Sequence, residues 1–189
     1  MADFKPIYDR LKPIEGGYAN DSTDRGGETY KGISRKWNPK WEGWKIVDKV
    51  RTEPGFPKNL DNHAGLSELV ATFYAANHFD IHRLADLNDQ NAAWELFDIS
   101  VNMGATVAAE IAQRAINLMN DNQRLWKDVP VDGKIGHATI TALNKAKAFP
   151  GKLVATLNIF QGWKYVQICE KDRSQEKFFR GWIGQRIMK

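Results

Sequence analysis

Apolar residues recur along this chain mostly at steps of three and four, the spacing of helices packed by one face. Phe4, Ile7, Tyr8, Leu11 and Ile14 predict a helix over residues 2–15, stopped by Gly16 and Gly17. Leu66, Leu69, Val70, Phe73, Tyr74 and Asn77 predict a long helix that ends near residues 84–88. Ala92, Leu96, Phe97, Ser100 and Val101 predict another, closed by Gly104. A third covers residues 106–120, with Val107, Ile111, Ala115, Leu118 and Met119 on its inner face. Further helices are predicted over 42–51, 137–148 and 152–175, with a short last one to 187. Residues 18–36 break the rhythm, with too many Gly, Asp and Asn for a helix. There E-T-Y-K-G-I-S follows a turn at Arg25-Gly26-Gly27, and a small hairpin of two or three strands is expected. The fold class is mainly α with one small β-hairpin, without internal repeats.

Composition narrows the picture. At 189 residues and 42% apolar content the chain can bury a core. The formal charge of +4 biases it toward anionic partners. Lys and Arg are dispersed and no nucleic-acid motif occurs, so nucleic acid is not expected as a partner. The single cysteine, Cys169, lies in an apolar-patterned run and reads as a buried thiol. The first residues carry charges where a signal peptide needs an apolar core, and no long apolar span occurs. The expectation is synthesis in the cytoplasm without a signal peptide or membrane anchor, as a monomer.

Residues 15–32 hold the candidate chemistry, with Glu15, Asp21, Asp24 and Glu28, Thr23, Thr29 and a run of glycines behind the first helix. Glu15 falls four residues after Leu11, on the apolar side of a helix end. Desolvation and the negative end of the helix dipole favour its protonated form, as a general acid requires. Asp24 lies in a polar turn that keeps a carboxylate ionised. Two carboxylates driven apart in this way are the equipment of glycoside hydrolysis. Asp21 competes with Asp24 for the second role and can instead cap the turn. Thr29 can hold the attacking water, and Glu28 reads as a strand-edge residue.

The string Glu15-Gly16-Gly17-Tyr18, Asn20-Asp21, Asp24, Gly26-Gly27, Thr29 and Lys31-Gly32-Ile33 resembles the signature of glycoside hydrolase family 108. These are N-acetylmuramidases found among phage endolysins and bacterial relatives sometimes labelled secretion activators. The Glu, Asp, Thr order is also similar to that of phage-type lysozymes, with an Asp-to-Thr gap one residue shorter. Residues 96–104 and 179–183 resemble further segments of the family. Residues 131–139 resemble the D-G-x-x-G-x-x-T string of peptidoglycan-binding helical modules. The resemblance implies a lysozyme-like helical domain with its hairpin near the active site. It implies a catalytic part over residues 1–105 and a peptidoglycan-binding-like part over 106–189, packed on it as a single compact unit. The implied activity is cleavage of the β-1,4 bond between N-acetylmuramic acid and N-acetylglucosamine. Glu15 is the acid, Asp24 and Thr29 handle water, and Tyr18, Asp21, Tyr30 and Asn102 touch substrate. The partner is bacterial peptidoglycan, reached after release or export by another system, and no cofactor is implied.

Other features have plainer readings. Asp21, Thr23 and Asp24 invite a calcium loop, but Arg25 and the missing terminal Glu break the ligand pattern. His78 and His82 have the spacing of zinc ligands without a third ligand, so they read as core or surface histidines and no metal is expected. Trp37, Trp41 and Trp44 either line a cleft or pack as core. Asp132 to Thr139 first serves a turn that starts a helix, with wall contact as a second role. The alternatives to a muramidase are a lytic transglycosylase and a non-catalytic wall-binding or secretion-helper protein.

Overall fold

The computed structural model describes residues 1–12, 16–20 and 26–188, and it is mainly helical with one small antiparallel sheet. The contacts divide the chain into two units, Tyr8–Ala76 on one side and Met1–Ile7 with Asn77–Lys189 on the other.

The Tyr8–Ala76 unit carries the sheet. Strands β1 (Tyr18–Asn20), β2 (Glu28–Tyr30) and β3 (Ile33–Ser34) pair in that order, with Tyr18 opposite Tyr30 and Tyr30 opposite Ile33. The E-T-Y-K-G-I-S run therefore supplies two strands. Lys31 and Gly32 form the two-residue turn between them, with φ of 43° and 78°. Two positive φ angles match the right-handed twist of a hairpin, and glycine takes the second at no steric cost.

Helix α1 (Phe4–Leu11) ends this unit's N-terminal side, and its Leu11 is fully buried. Helix α2 (Gly43–Val50) buries Trp44, Val47 and Val50 at steps of three. Trp41 lies 5.2 Å from Trp44 and 6.4 Å from both Tyr30 and Phe73, ring centre to ring centre. A Cβ on Gly43 would fall 2.2 Å from the Trp41 ring, so only glycine lets that ring in. Trp44 is thus core and Trp41 is half-buried against it, whereas Trp37 is 70% exposed. Helix α3 (Ala64–Tyr74) closes the unit with Leu66, Val70 and Tyr74 inward.

The helix expected to run on to residues 84–88 stops at Tyr74. A π-helical turn at Ala75–Phe79 and 3-10 turns at Asp80–His82 and Leu84–Asp86 follow, with Arg83 at φ 52° between the last two. Tertiary contacts explain the break. His78 and His82 are drawn onto one hydroxyl, that of Ser100, and Phe79 packs edge-on against Phe4 at 5.4 Å.

The second unit is built around α4 (Gln90–Met103), whose residues from Ala92 to Ser100 are all buried. Asp89 caps its start by accepting from the Asn91 and Ala92 N–H groups, and Gly104 at φ 88° ends it. Helix α5 (Ala105–Leu118) turns in Ala108, Ala109, Ile111, Ala112, Ala115 and Ile116. That face is rotated from the expected one, is filled mostly by alanines, and leaves Leu118 74% exposed. Helices α6 (His137–Ala146), α7 (Lys152–Lys171) and α8 (Glu176–Trp182) complete the unit, with Cys169 buried on α7. Among the described residues no helix is long and apolar enough to cross a membrane.

Candidate active site

Strand alternation puts Glu28 and Tyr30 on one face of β2 and Thr29 on the other. Glu28 is not at an edge, since β2 is the middle strand and its side chain is only 13% exposed. Its carboxylate accepts from the Tyr18 hydroxyl at 3.0 Å, from Arg35 Nη1 at 3.0 Å and from Arg51 Nη2. Arg35 also grips Asp48 on α2 with both terminal nitrogens, at 2.7 and 2.5 Å. That grip holds the Asp48 carboxyl below its ordinary range and raises the Arg35 guanidinium. A charge network therefore ties the sheet to α2. Tyr18 lies edge-on to Phe56 at 4.8 Å, and partial burial followed by the Glu28 contact pushes its phenol upward.

Tyr30 is 1% exposed and stacks on Trp41, so it serves the core of the sheet, and burial raises its phenol. Thr29 is half-buried, and its hydroxyl donates to the Gly27 carbonyl at 3.1 Å. Ser34 donates to the Gly26 carbonyl at 2.6 Å, so the last two residues before β2 are held from both neighbouring positions.

A cleft of about 450 Å³ opens in the same unit. Tyr8 and Lys12 from the end of α1, Lys31 from the hairpin turn, and Ser67, Glu68 and Tyr74 from α3 line it. The Tyr74 hydroxyl donates to the Lys31 carbonyl at 2.9 Å and fixes the turn to α3. Lys31 pairs with Asp61 at 2.9 Å and Lys12 with Asp9 at 2.7 Å. The wall thus combines two aromatic rings, 6.0 Å apart, with two paired lysines and the Glu68 carboxylate. The rings suit the face of a sugar.

Glu15, Asp21 and Asp24 lie outside the described residues. Of the other expected site residues, Tyr18, Thr29 and Tyr30 share the sheet. Asn102 belongs to the second unit, on α4, where its amide donates to the Asp98 carbonyl at 3.0 Å. The Asp98 carboxylate is fully buried and meets Arg186 at 2.5 Å. The clamp on Glu28 and the cleft cations escaped the sequence reading, and of the two the hairpin turn that carries Lys31 had a local signal. Lys-Gly between two strand halves marks that turn, whereas Arg35 and Arg51 lie seven and twenty-three residues beyond Glu28.

In the second unit His78 Nδ1 and His82 Nε2 lie 2.9 and 3.0 Å from Ser100 Oγ. Burial lowers both imidazoles to about 4, so they are neutral near pH 7. Among the described residues no three His, Cys, Asp or Glu side chains converge as metal ligands. The Asp132 turn is held by Gln113. The Gln113 amide donates to Asp132 Oδ1 at 2.7 Å and to the Lys134 carbonyl at 2.9 Å, and its oxygen accepts from the Asp132 and Gly133 N–H groups.

A family model described as Glycosyl hydrolase 108 matches residues 8–104, and one described as Predicted Peptidoglycan domain matches residues 107–187. Among solved structures the chain is similar to SagA of Brucella abortus, with 16% identity and a TM-score of 0.62 over 96% of this chain and 88% of that one. At that identity the likeness establishes the fold. No curated protein matches the chain.

Proposed function

From the premise that this chain belongs to the glycosyl hydrolase 108 family, hydrolases of peptidoglycan, we propose that it is an N-acetylmuramidase. It cuts the β-1,4 bond between N-acetylmuramic acid and N-acetylglucosamine. Glu15 protonates the leaving oxygen, Asp24 activates water on the other side of the ring, and Thr29 helps to place that water. Asp21 and Tyr18 contact the glycan, and Asn102 contacts an N-acetyl group. Residues 1–105 carry the hydrolysis and residues 106–189 hold the enzyme on the wall. The reaction needs only acid and base, without metal or cofactor, and the monomer reaches the wall after release or export.

The anchoring of the sheet supports this reading best. Asp21 and Asp24 belong to the connection between β1 and β2, which leaves at Asn20 and returns at Glu28, a directly paired couple. A return strand locked by two arginines suits a connection that must hold a carboxylate to within a fraction of an ångström. The Tyr8 and Tyr74 rings of the cleft support a sugar substrate.

The test is a digest of purified peptidoglycan by the wild type and by Glu15→Gln, with mass spectrometry of the released fragments. Reducing-end muramic acid from the wild type alone is the expected result. Anhydromuramic products would turn the assignment to a lytic transglycosylase, and equal release by both proteins would refute the role of Glu15.

A further inference from the structure

The Asp132 turn, His82 and the start of α5 enclose a second cavity, of about 310 Å³, at the small end of ligand pockets. Every residue on its wall belongs to the second unit. His82 is 2% exposed, and its Nδ1 is buried without a partner among the described residues, while Nε2 is taken by Ser100. An imidazole nitrogen kept dry and unsatisfied costs stability unless something reaches it.

Three charged or polarised groups surround it. Ala105 and Thr106 begin α5, a helix of fourteen residues whose cap, Gly104, brings no side chain to its first N–H groups. That end attracts a carboxylate. The Lys134 ammonium makes no ion pair among the described residues. Asp132 commits Oδ1 to the Gln113 amide and the Lys134 N–H, which leaves Oδ2 for a donor. Gly133, at φ 71°, has no room for a Cβ, which would fall 2.7 Å from Thr106 Cγ2, so the turn is pressed against the start of α5. A positive helix end beside a lysine, with an aspartate across a narrow space, matches a group that carries a carboxylate and an ammonium on one carbon.

We propose that this cavity receives the zwitterionic amino-acid end of a wall stem peptide, with its carboxylate at the α5 N-terminus and Lys134 and its ammonium at Asp132. The inference rests on the peptidoglycan reading for the origin of the ligand, and on the cavity alone for its chemistry. Of the two diamino acids common in stem peptides, meso-diaminopimelate ends in a carbon bearing both groups, whereas lysine ends in an amine only. The cavity therefore selects diaminopimelate walls.

The experiment titrates the full chain, with 15N-labelled histidine, with L-Ala-γ-D-Glu-meso-diaminopimelate and with the lysine counterpart. The expected result is a shift of the His82 ring nitrogens with the diaminopimelate peptide, binding about tenfold weaker for the lysine peptide, and a similar loss in Lys134→Ala. Lys134 has no ion pair to lose, so that variant keeps its fold, which circular dichroism checks. No shift at millimolar diaminopimelate peptide, or equal affinity for both peptides, would overturn the proposal. Equal affinity for free alanine would reject the stem peptide as the source. These peptides contain no glycosidic bond, so binding without glycan cleavage would count against the muramidase reading and not against this one.

Discussion

Replacing Glu28 by Gln tests whether the hairpin is held by charge. The carboxylate receives two guanidinium groups and one phenol while 13% exposed, and the arginines are 32% and 39% exposed. Gln keeps the size but replaces one acceptor oxygen by an NH2 that must face a guanidinium. A charge-assisted hydrogen bond exceeds a neutral one by about 1 kcal/mol, and partial exposure of the arginines reduces that gain. Two such bonds after that reduction, with the amide NH2 left against a guanidinium, together put the loss at about 2 kcal/mol. Arg35 retains Asp48, so the sheet weakens without detaching. For a unit of this size each kcal/mol shifts melting by about 4–8 °C, so calorimetry should show the transition of the Tyr8–Ala76 unit lowered by about 8 °C or more. Wall turnover measured well below that transition should stay within about threefold of wild type. An unchanged melting temperature would refute the clamp. Complete loss of turnover in a protein that melts normally would show that Glu28 takes part in the chemistry.

Other outcomes follow from the second unit. Arg186→Met removes the guanidinium from a fully buried Asp98 and should cost about 3 kcal/mol in urea unfolding, most of it recovered in Asp98→Leu/Arg186→Met. His78 and His82 are lowered from 6.5 to about 4, so the unfolded chain binds protons first as pH falls. Their contribution is complete above pH 6.5 and is lost as pH drops toward 4, by roughly 1.4 kcal/mol per unit for each histidine. Melting followed from pH 7 to 4 should show this fall, and His78→Asn should flatten it. Gly133→Ala meets both a left-handed φ and the Thr106 methyl and should lower the melting temperature of the second unit, with a loss of about 2 kcal/mol by urea unfolding.

The readable parts of this chain were those set by local chemistry. Gly104 ends α4, the helix expected over 42–51 forms as α2 (Gly43–Val50), and the turn-rich stretch around Lys31-Gly32 forms the sheet, because glycine conformations and short-range periodicity act within a few residues. Helix α4 shows the opposite case. Its one apolar stripe, which included Ser100, predicted one buried face, yet Glu95 and Asp98 are buried too, and the partner of Asp98, Arg186, comes from a distant segment. The break after Tyr74 was hidden for the same reason, since Ser100 and Phe4 decide where His78 and Phe79 must go. At the site, Glu28 looked like an edge residue because the short string around it was counted as one strand. Its two arginines, seven and twenty-three residues away, carry no local signal.

The membership of Met1–Ile7 in the second unit bears on how the chain comes off the ribosome. Phe4 packs edge-on to Phe79 and Phe97, and Asp3 exchanges hydrogen bonds with Gln90, 87 positions later. Residues 1–7 must therefore wait for α4 to emerge, while the Tyr8–Ala76 unit has its own core and can fold in the interval. A fragment beginning at Asn77 would expose the ring faces that Phe4 covers.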